Sequence, residues 1–230
     1  MRKPLIIAHR GARGNKPENT LESFQEAVRL AADFVELDVQ KSADEKIVVL
    51  HDYHWKNCCR VSDTPYLRIK NAGLKRKIKI PLLEEVLEAL DNRIGIDIEI
   101  KSMDRDILTL LVRALKGHNK RKIIVSSFIH RHLVELKELL PSLRLGALMS
   151  CRPIDPLPIL KAARTDLLIQ HAEFVDEEYV HLLHRNKKQI FVWTVNDTED
   201  LRRMARCGVD GIVSDFPDRA RAAVEETALL

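Results

Sequence analysis

The chain has 230 residues, with 38 Lys and Arg against 34 Asp and Glu, so its formal net charge is only +4. That length suits one α/β barrel or two small domains, and the small charge, without basic–aromatic interleaving, argues against a nucleic-acid partner. No run approaches the ~20 apolar residues of a membrane span, the apolar start is too short for a secretion signal, and Cys58, Cys59, Cys151 and Cys207 form no C-x-x-C pair, which points to reduced thiols and a cytoplasmic setting.

Short apolar runs alternate with helix-patterned segments along the whole chain. A strand is predicted over 5–8 and a helix over 19–31, with Asn19 as N-cap and Glu22 completing a capping box. Residues 34–39 read as a strand in spite of two acids, Glu36 and Asp38. Side chains alternate across a strand, so both acids share one face. A second apolar run follows at 47–51, too soon for a parallel crossover. The two runs should form an antiparallel hairpin turning near Ala43, with residue 36 opposite residue 50 and His51 beside Glu36.

Residues 53–80 read as irregular and basic, with Lys56, Arg60, Arg68, Lys70, Lys75, Arg76, Lys77 and Lys79 against Asp63 alone. A solvated loop is the simplest account, and weak contact with an anionic surface is the minority one. A helix over 81–90 should begin at Pro81. Strands then follow at 95–101, 122–127, 143–149, 167–171, 189–195 and 211–214. Helices are expected over 104–116, 131–140, 176–186 and 197–206, with a short one ending at Ala163 and a terminal one to about Leu230. Setting the hairpin arm aside leaves eight strands, mostly helix-linked. The expectation is a single domain over 1–230: a (β/α)₈ TIM barrel with a β-hairpin extension after the second strand and a short basic insertion. The competing doubly wound sheet would prefer a glycine-rich phosphate turn after the first strand, and Gly11–Gly14 is a weak one.

In such a barrel, chemistry gathers at the C-terminal strand ends. The first strand ends in His9-Arg10-Gly11, the second carries Glu36 and Asp38, and its hairpin arm ends in His51-Asp52. Asp97, Glu99 and Lys101 share one face of the third. Oxygen ligands Glu36, Asp38 and Glu99 suit a hard divalent cation, Mg²⁺ or Ca²⁺, whereas zinc prefers His or Cys. Arg10 and Lys101 suit an anionic phosphate. His9 and His51 suit acid–base work in either assignment. Each residue also has a bland reading: a lone His is usually structural, and Trp193 reads as core packing. Their convergence on one end of the barrel favours the chemical reading, phosphodiester cleavage.

His9-Arg10-Gly11, Pro17-Glu18-Asn19-Thr20, Glu36-Leu37-Asp38-Val39, His51-Asp52, Glu99-Ile100-Lys101, Trp193-Thr194-Val195-Asn196 and the run from Gly208 to Pro217, in that order, resemble the motifs of the glycerophosphodiester phosphodiesterase family. The resemblance spans residues 5 to about 220. It implies hydrolysis of a small-molecule glycerophosphodiester to glycerol 3-phosphate and an alcohol. It further implies metal ligands Glu36, Asp38 and Glu99, acid–base histidines His9 and His51, and phosphate contacts from Arg10 and Lys101. Trp193 is then an apolar wall for the glycerol. A phospholipase-D-like enzyme acting on lysophospholipids or sphingolipids is the alternative. The chain departs from the family where Trp55 and Asn57 replace the usual Leu and Arg after His-Asp, which bears on the substrate's alcohol group.

Overall fold

The computed structural model describes residues 3–55, 59–90 and 92–228, with the backbone alone described at Cys59. Lys56, Asn57 and Cys58 lie outside the described residues, as do the last two residues of the terminal helix anticipated from sequence. The elements run β1 (Leu5–Ala8), α1 (Leu21–Arg29), β2 (Phe34–Lys41), β3 (Ile47–Val49), β4 (His54–Trp55), β5 (Cys59–Arg60), α2 (Tyr66–Leu74), α3 (Leu83–Leu90), β6 (Gly95–Ile100), α4 (Asp106–Ala114), β7 (Ile123–Ser127), α5 (His130–Leu139), β8 (Arg144–Met149), α6 (Leu157–Ala162), β9 (Leu167–His171), α7 (Glu177–Arg185), β10 (Gln189–Trp193), α8 (Thr198–Cys207), β11 (Gly211–Ser214) and α9 (Pro217–Thr227).

Strands pair in parallel in the order β1-β11-β10-β9-β8-β7-β6-β2, and β2 pairs back onto β1. The expected eight-stranded barrel is thereby closed, and β3 adds antiparallel to the upper end of β2 as the expected hairpin. Strand alternation divides the apolar residues into two shells. Ile6, Ala8, Val35, Leu37, Val39, Ile96, Ile98 and Ile100 pack outward against the helices. Ile7, Ile124, Leu148, Leu167, Ile169, Phe191 and Val213 fill the barrel. Because Val35, Leu37 and Val39 take the outer face, Glu36 and Asp38 must point inward.

Four local expectations need correction. Helix α1 is capped by Thr20, whose side chain accepts from the Ser23 amide while Ser23 Oγ accepts from Thr20 N–H. The box is therefore one residue later than Asn19 and Glu22, because the Asn19 amide is committed to Asp38. The hairpin pairs Val39 with Val49 and Lys41 with Ile47, so residue 36 falls level with residue 52 and β3 stops at Val49. The turn centres on Asp44, whose side chain accepts from Ser42 Oγ and from the Tyr66 amide. Residues 53–80 are not irregular throughout: they carry α2 and a small hairpin around a satellite core of Val48, Leu50, Trp55, Val61, Ile69 and Ile80. Helix α3 begins at Leu83, since Leu82 is held in a bridge to Val48. None of the helices described is long and apolar enough to cross a membrane.

Candidate active site

The parallel register sets Glu36 beside Asp97 and Asp38 beside Glu99 on adjacent strands. Four inward carboxylates therefore crowd one quarter of the barrel, all shielded from solvent or nearly so. Oxygens of Glu36, Asp38 and Glu99 lie within 4.8 Å of one another. Asp97 sits one layer deeper and accepts a hydrogen bond from Ser126 Oγ at 2.8 Å. Burial, then repulsion from Asp38 and Glu99, pushes the Glu36 carboxyl well above the usual carboxylate range. Burial, then Asp38, raises Glu99 to about 7, and burial raises Asp97 to about 7.

Two cations answer this charge. Lys101 Nζ lies 2.8 Å from Glu99 Oε1. Arg10 Nε lies 3.2 Å from Asp38 Oδ2, and Arg10 Nη1 lies 3.0 Å from Glu18 Oε1. The Arg10 backbone amide also donates to Glu36 Oε2 at 2.8 Å, yet Glu36 Oε1 is buried without a hydrogen-bond partner. A buried carboxylate oxygen left open beside two other convergent carboxylates is the arrangement a hard cation satisfies. Glu36, Asp38 and Glu99 thus form a group that can hold a metal ion.

His9 enters from the end of β1. Its Nδ1 lies 2.6 Å from Asp215 Oδ1 after β11, and Asp215 in turn accepts from the Asn196 side-chain amide at 2.9 Å. Burial lowers the His9 pKa below the usual imidazole value, although Asp215 works against it. The turn that presents His9 and Arg10 is tight, with positive φ at Arg10 and Gly11 (50° and 77°). A Cβ on Gly11 would stand 2.3 Å from Ser23 Oγ, so this position requires glycine. His51 comes from the hairpin return. Its Nδ1 lies 2.8 Å from Asp52 Oδ1, and its side chain is 31% exposed.

The return segment is held from below by Gln40, the next inward residue of β2 after Asp38. Gln40 Nε2 donates to the carbonyls of Leu50, His51 and Asp52 at 2.9, 3.1 and 2.8 Å. Asn19 clamps Asp38 from both sides, donating through Nδ2 at 2.9 Å and accepting from the Asp38 amide at 3.2 Å.

His9, Arg10, Glu36, His51, Glu99, Lys101 and Trp193 all line one cavity of about 150 Å³ at the C-terminal mouth, and the buried Asp38 stands beside Glu36 and Glu99. All eight residues selected from sequence are thus brought together. Trp193 is half-buried, donates Nε1–H to the Ile169 carbonyl and meets Phe128 edge-on at 5.5 Å. It is packed on one side and faces the cavity on the other. Sequence reading left Gln40, Asn196 and Asp215 without individual roles, gave Asn19 only as a helix N-cap, and placed Asp97 on the face of Glu99 and Lys101 without a role of its own. Asn196 and Asp215 stood within the two last motifs of the family resemblance, which was the available signal. Gln40 continued the inward alternation of Glu36 and Asp38.

Comparison with known proteins gives concordant results. The sequence model of the glycerophosphoryl diester phosphodiesterase family matches residues 9–219. A glycerophosphodiester phosphodiesterase of Caldanaerobacter subterraneus subsp. tengcongensis is 37% identical over 234 residues, covering 94% of this chain and 96% of that one. One from Bacillus altitudinis is 34% identical, covering 96% and 98%. The structure of an Oleispira antarctica phosphodiesterase in complex with the product sn-glycerol-3-phosphate superposes with a TM-score of 0.90 at 27% identity, covering 97% of each chain.

Proposed function

The chain belongs to the glycerophosphoryl diester phosphodiesterase family and is a phosphoric diester hydrolase; on that premise we propose that it cleaves glycerophosphodiesters to sn-glycerol 3-phosphate and an alcohol, with Mg²⁺ or Ca²⁺ held by Glu36, Asp38 and Glu99. The observation that carries this reading is the convergence of three buried carboxylates, one with an open oxygen, on the two histidines of the same cavity. The described residues form one closed barrel, which supports a single catalytic domain over 1–230. Free thiols at Cys151 and Cys207 support a reducing, cytoplasmic setting.

A bound divalent cation supplies Lewis-acid polarisation of a phosphoryl oxygen at this site. Lys101 and Arg10 add positive charge to the same cavity, and each is shared with a carboxylate when substrate is absent. They hold the phosphate as charge builds on its oxygens. Burial disfavours the charged form of His9, and its Nδ1 faces Asp215, which leaves Nε2 to accept a proton from the attacking hydroxyl. That hydroxyl is a water or the substrate's own glycerol hydroxyl. His51 gives its proton to the departing alkoxide as the P–O bond breaks, and its exposure at the rim lets the alcohol leave. Water supplies the oxygen and protons of the net hydrolysis. Trp193 and Phe128 form an apolar wall against the glycerol carbons.

The test is phosphorus NMR of glycerophosphocholine turnover. Glycerol 3-phosphate should be the phosphorus product, and His9→Ala and His51→Ala should each lower kcat by about 10²–10⁴. Phosphocholine as product would contradict the bond assignment. A second reading, lysophospholipid hydrolysis, is favoured by the exposed apolar side chains after β6, β7 and β8: Met103, Phe128 and Ile154 at 68, 40 and 106% exposure. Comparing rates on micellar lysophosphatidylcholine and soluble glycerophosphocholine separates the two.

A further inference from the structure

Helix α2 presents two opposed faces. Ile69 and Gly73 are buried against the satellite core, and a Cβ on Gly73 would lie 2.7 Å from the Ile78 carbonyl, so the helix sits tightly on its support. On the opposite face, Leu67 and Leu74 stand 66 and 47% exposed. They are seven residues apart, so they share one helix face two turns, about 10 Å, apart along the axis. Nothing described covers them.

Cations flank this pair. Lys70 stands on one side of the leucines, and Arg68 and Lys75 on the other, by helical geometry. Arg76, Lys77 and Lys79 follow in the turn to Ile80, and all six are exposed. Asp63 is the one acid between residues 61 and 80. Among the described residues, Arg68, Lys70, Lys75, Arg76 and Lys77 have no carboxylate within ion-pair distance, and Lys79 reaches Glu22 only at 4.0 Å. Elsewhere many surface arginines are paired: Arg29, Arg105, Arg131, Arg152, Arg164 and Arg202 each meet a carboxylate.

We propose that helix α2 and the turn after it dock the enzyme on an anionic phospholipid surface. Charge complementarity selects an anionic partner. The paired leucines between cations select a bilayer among anionic partners, because long basic side chains can reach lipid headgroups while the leucines enter the acyl boundary. A nucleic acid would call for aromatic or hydrogen-bonding side chains in place of Leu67 and Leu74. The docking element is tied to the site: Trp55 and Leu50 of its satellite core bracket the segment that carries His51. Docking therefore holds the mouth-forming hairpin near a surface whose headgroups share the glycerophosphodiester chemistry of the substrate. It requires no catalysis, and its test does not depend on the reaction assigned above.

The experiment is vesicle flotation of the full chain on phosphatidylcholine vesicles with and without 30% phosphatidylserine, a proportion of about one-third chosen so that surface charge dominates. Binding is expected with phosphatidylserine at low salt, and it should fall more than about tenfold without it or at high salt. The triple variant Lys70→Glu/Lys75→Glu/Arg76→Glu and the double variant Leu67→Ser/Leu74→Ser should each bind at least about tenfold more weakly. Both should keep the wild-type melting temperature and turnover of soluble glycerophosphocholine. Wild-type binding by either variant would overturn the proposal. So would absence of binding at low salt, or tighter binding to a duplex oligonucleotide than to the vesicles.

Discussion

Gln40 shows how one side chain links fold to chemistry. Its amide spans three carbonyls of the segment bearing His51, so its loss should move that histidine without touching the carboxylates. Gln40→Leu is expected to lower kcat by about ten- to a hundredfold and stability by about 1–3 kcal/mol, with cation affinity unchanged by calorimetry. An equal loss of cation affinity would place Gln40 in the carboxylate cluster instead. Asp215 acts on His9 in the same manner. Burial lowers the His9 pKa and Asp215 opposes that lowering, so Asp215→Asn should lower it further. For a base that works unprotonated, the acid limb of kcat/KM should then move to lower pH while kcat falls. An upward shift of that limb would exclude His9 as the base. Seven of the eight candidate residues were legible because each breaks a local pattern: acids in a strand, a histidine or a cation at a strand end; Trp193 breaks none and was singled out by the family resemblance alone. Gln40 was less legible, a neutral amide whose one signal was its place in the inward alternation, and Asn19 read only as a helix cap because its partner Asp38 lies 19 residues away.

At the scale of elements, short apolar runs were sufficient to find every barrel strand, because burial on both faces leaves little choice of residue. Boundaries depended on side-chain competition that spacing does not reveal. Asn19 is a better N-cap than Thr20 by type, but its amide is committed to Asp38 across 19 residues, and the cap passes to Thr20. Thr20→Ala should therefore cost about 1 kcal/mol in chemical denaturation. Asn19→Ala should leave α1 capped and weaken cation binding. The reverse pattern would restore Asn19 as the cap. The hairpin register shifted by two residues for a similar reason: Asp44 anchors the turn to Tyr66, a partner 22 residues on. Helix α2 was hidden by its composition, since a basic segment with Gly73 inside it lacks a strong apolar stripe.

For the whole molecule, the barrel concentrates buried negative charge that its own cations only partly balance. Asp97 and Glu99 titrate at about 7 when folded, far above their unfolded values. A carboxylate raised in this way contributes stability that is present below its unfolded pKa and is lost as pH rises through the folded value. The chelated protein should therefore lose the share of stability due to Asp97 and Glu99 between about pH 4 and pH 7. A divalent cation binds the charged form, so the rise in Tm on adding Mg²⁺ or Ca²⁺ should be larger at about pH 8 than at about pH 6, values a unit either side of the folded value of about 7. An equal rise at both values would show that the cation binds elsewhere.

On the function proposed above, hydrolysis depends on a cation held by Glu36, Asp38 and Glu99. The most direct measurement is the rate of glycerophosphocholine hydrolysis after EDTA treatment and during readdition of Mg²⁺ or Ca²⁺, in the wild-type chain and in Glu36→Ala. The rate should fall to background on chelation, return with the cation in the wild type, and stay at background in the variant. Activity indifferent to chelation, or intact in Glu36→Ala, would contradict the claim.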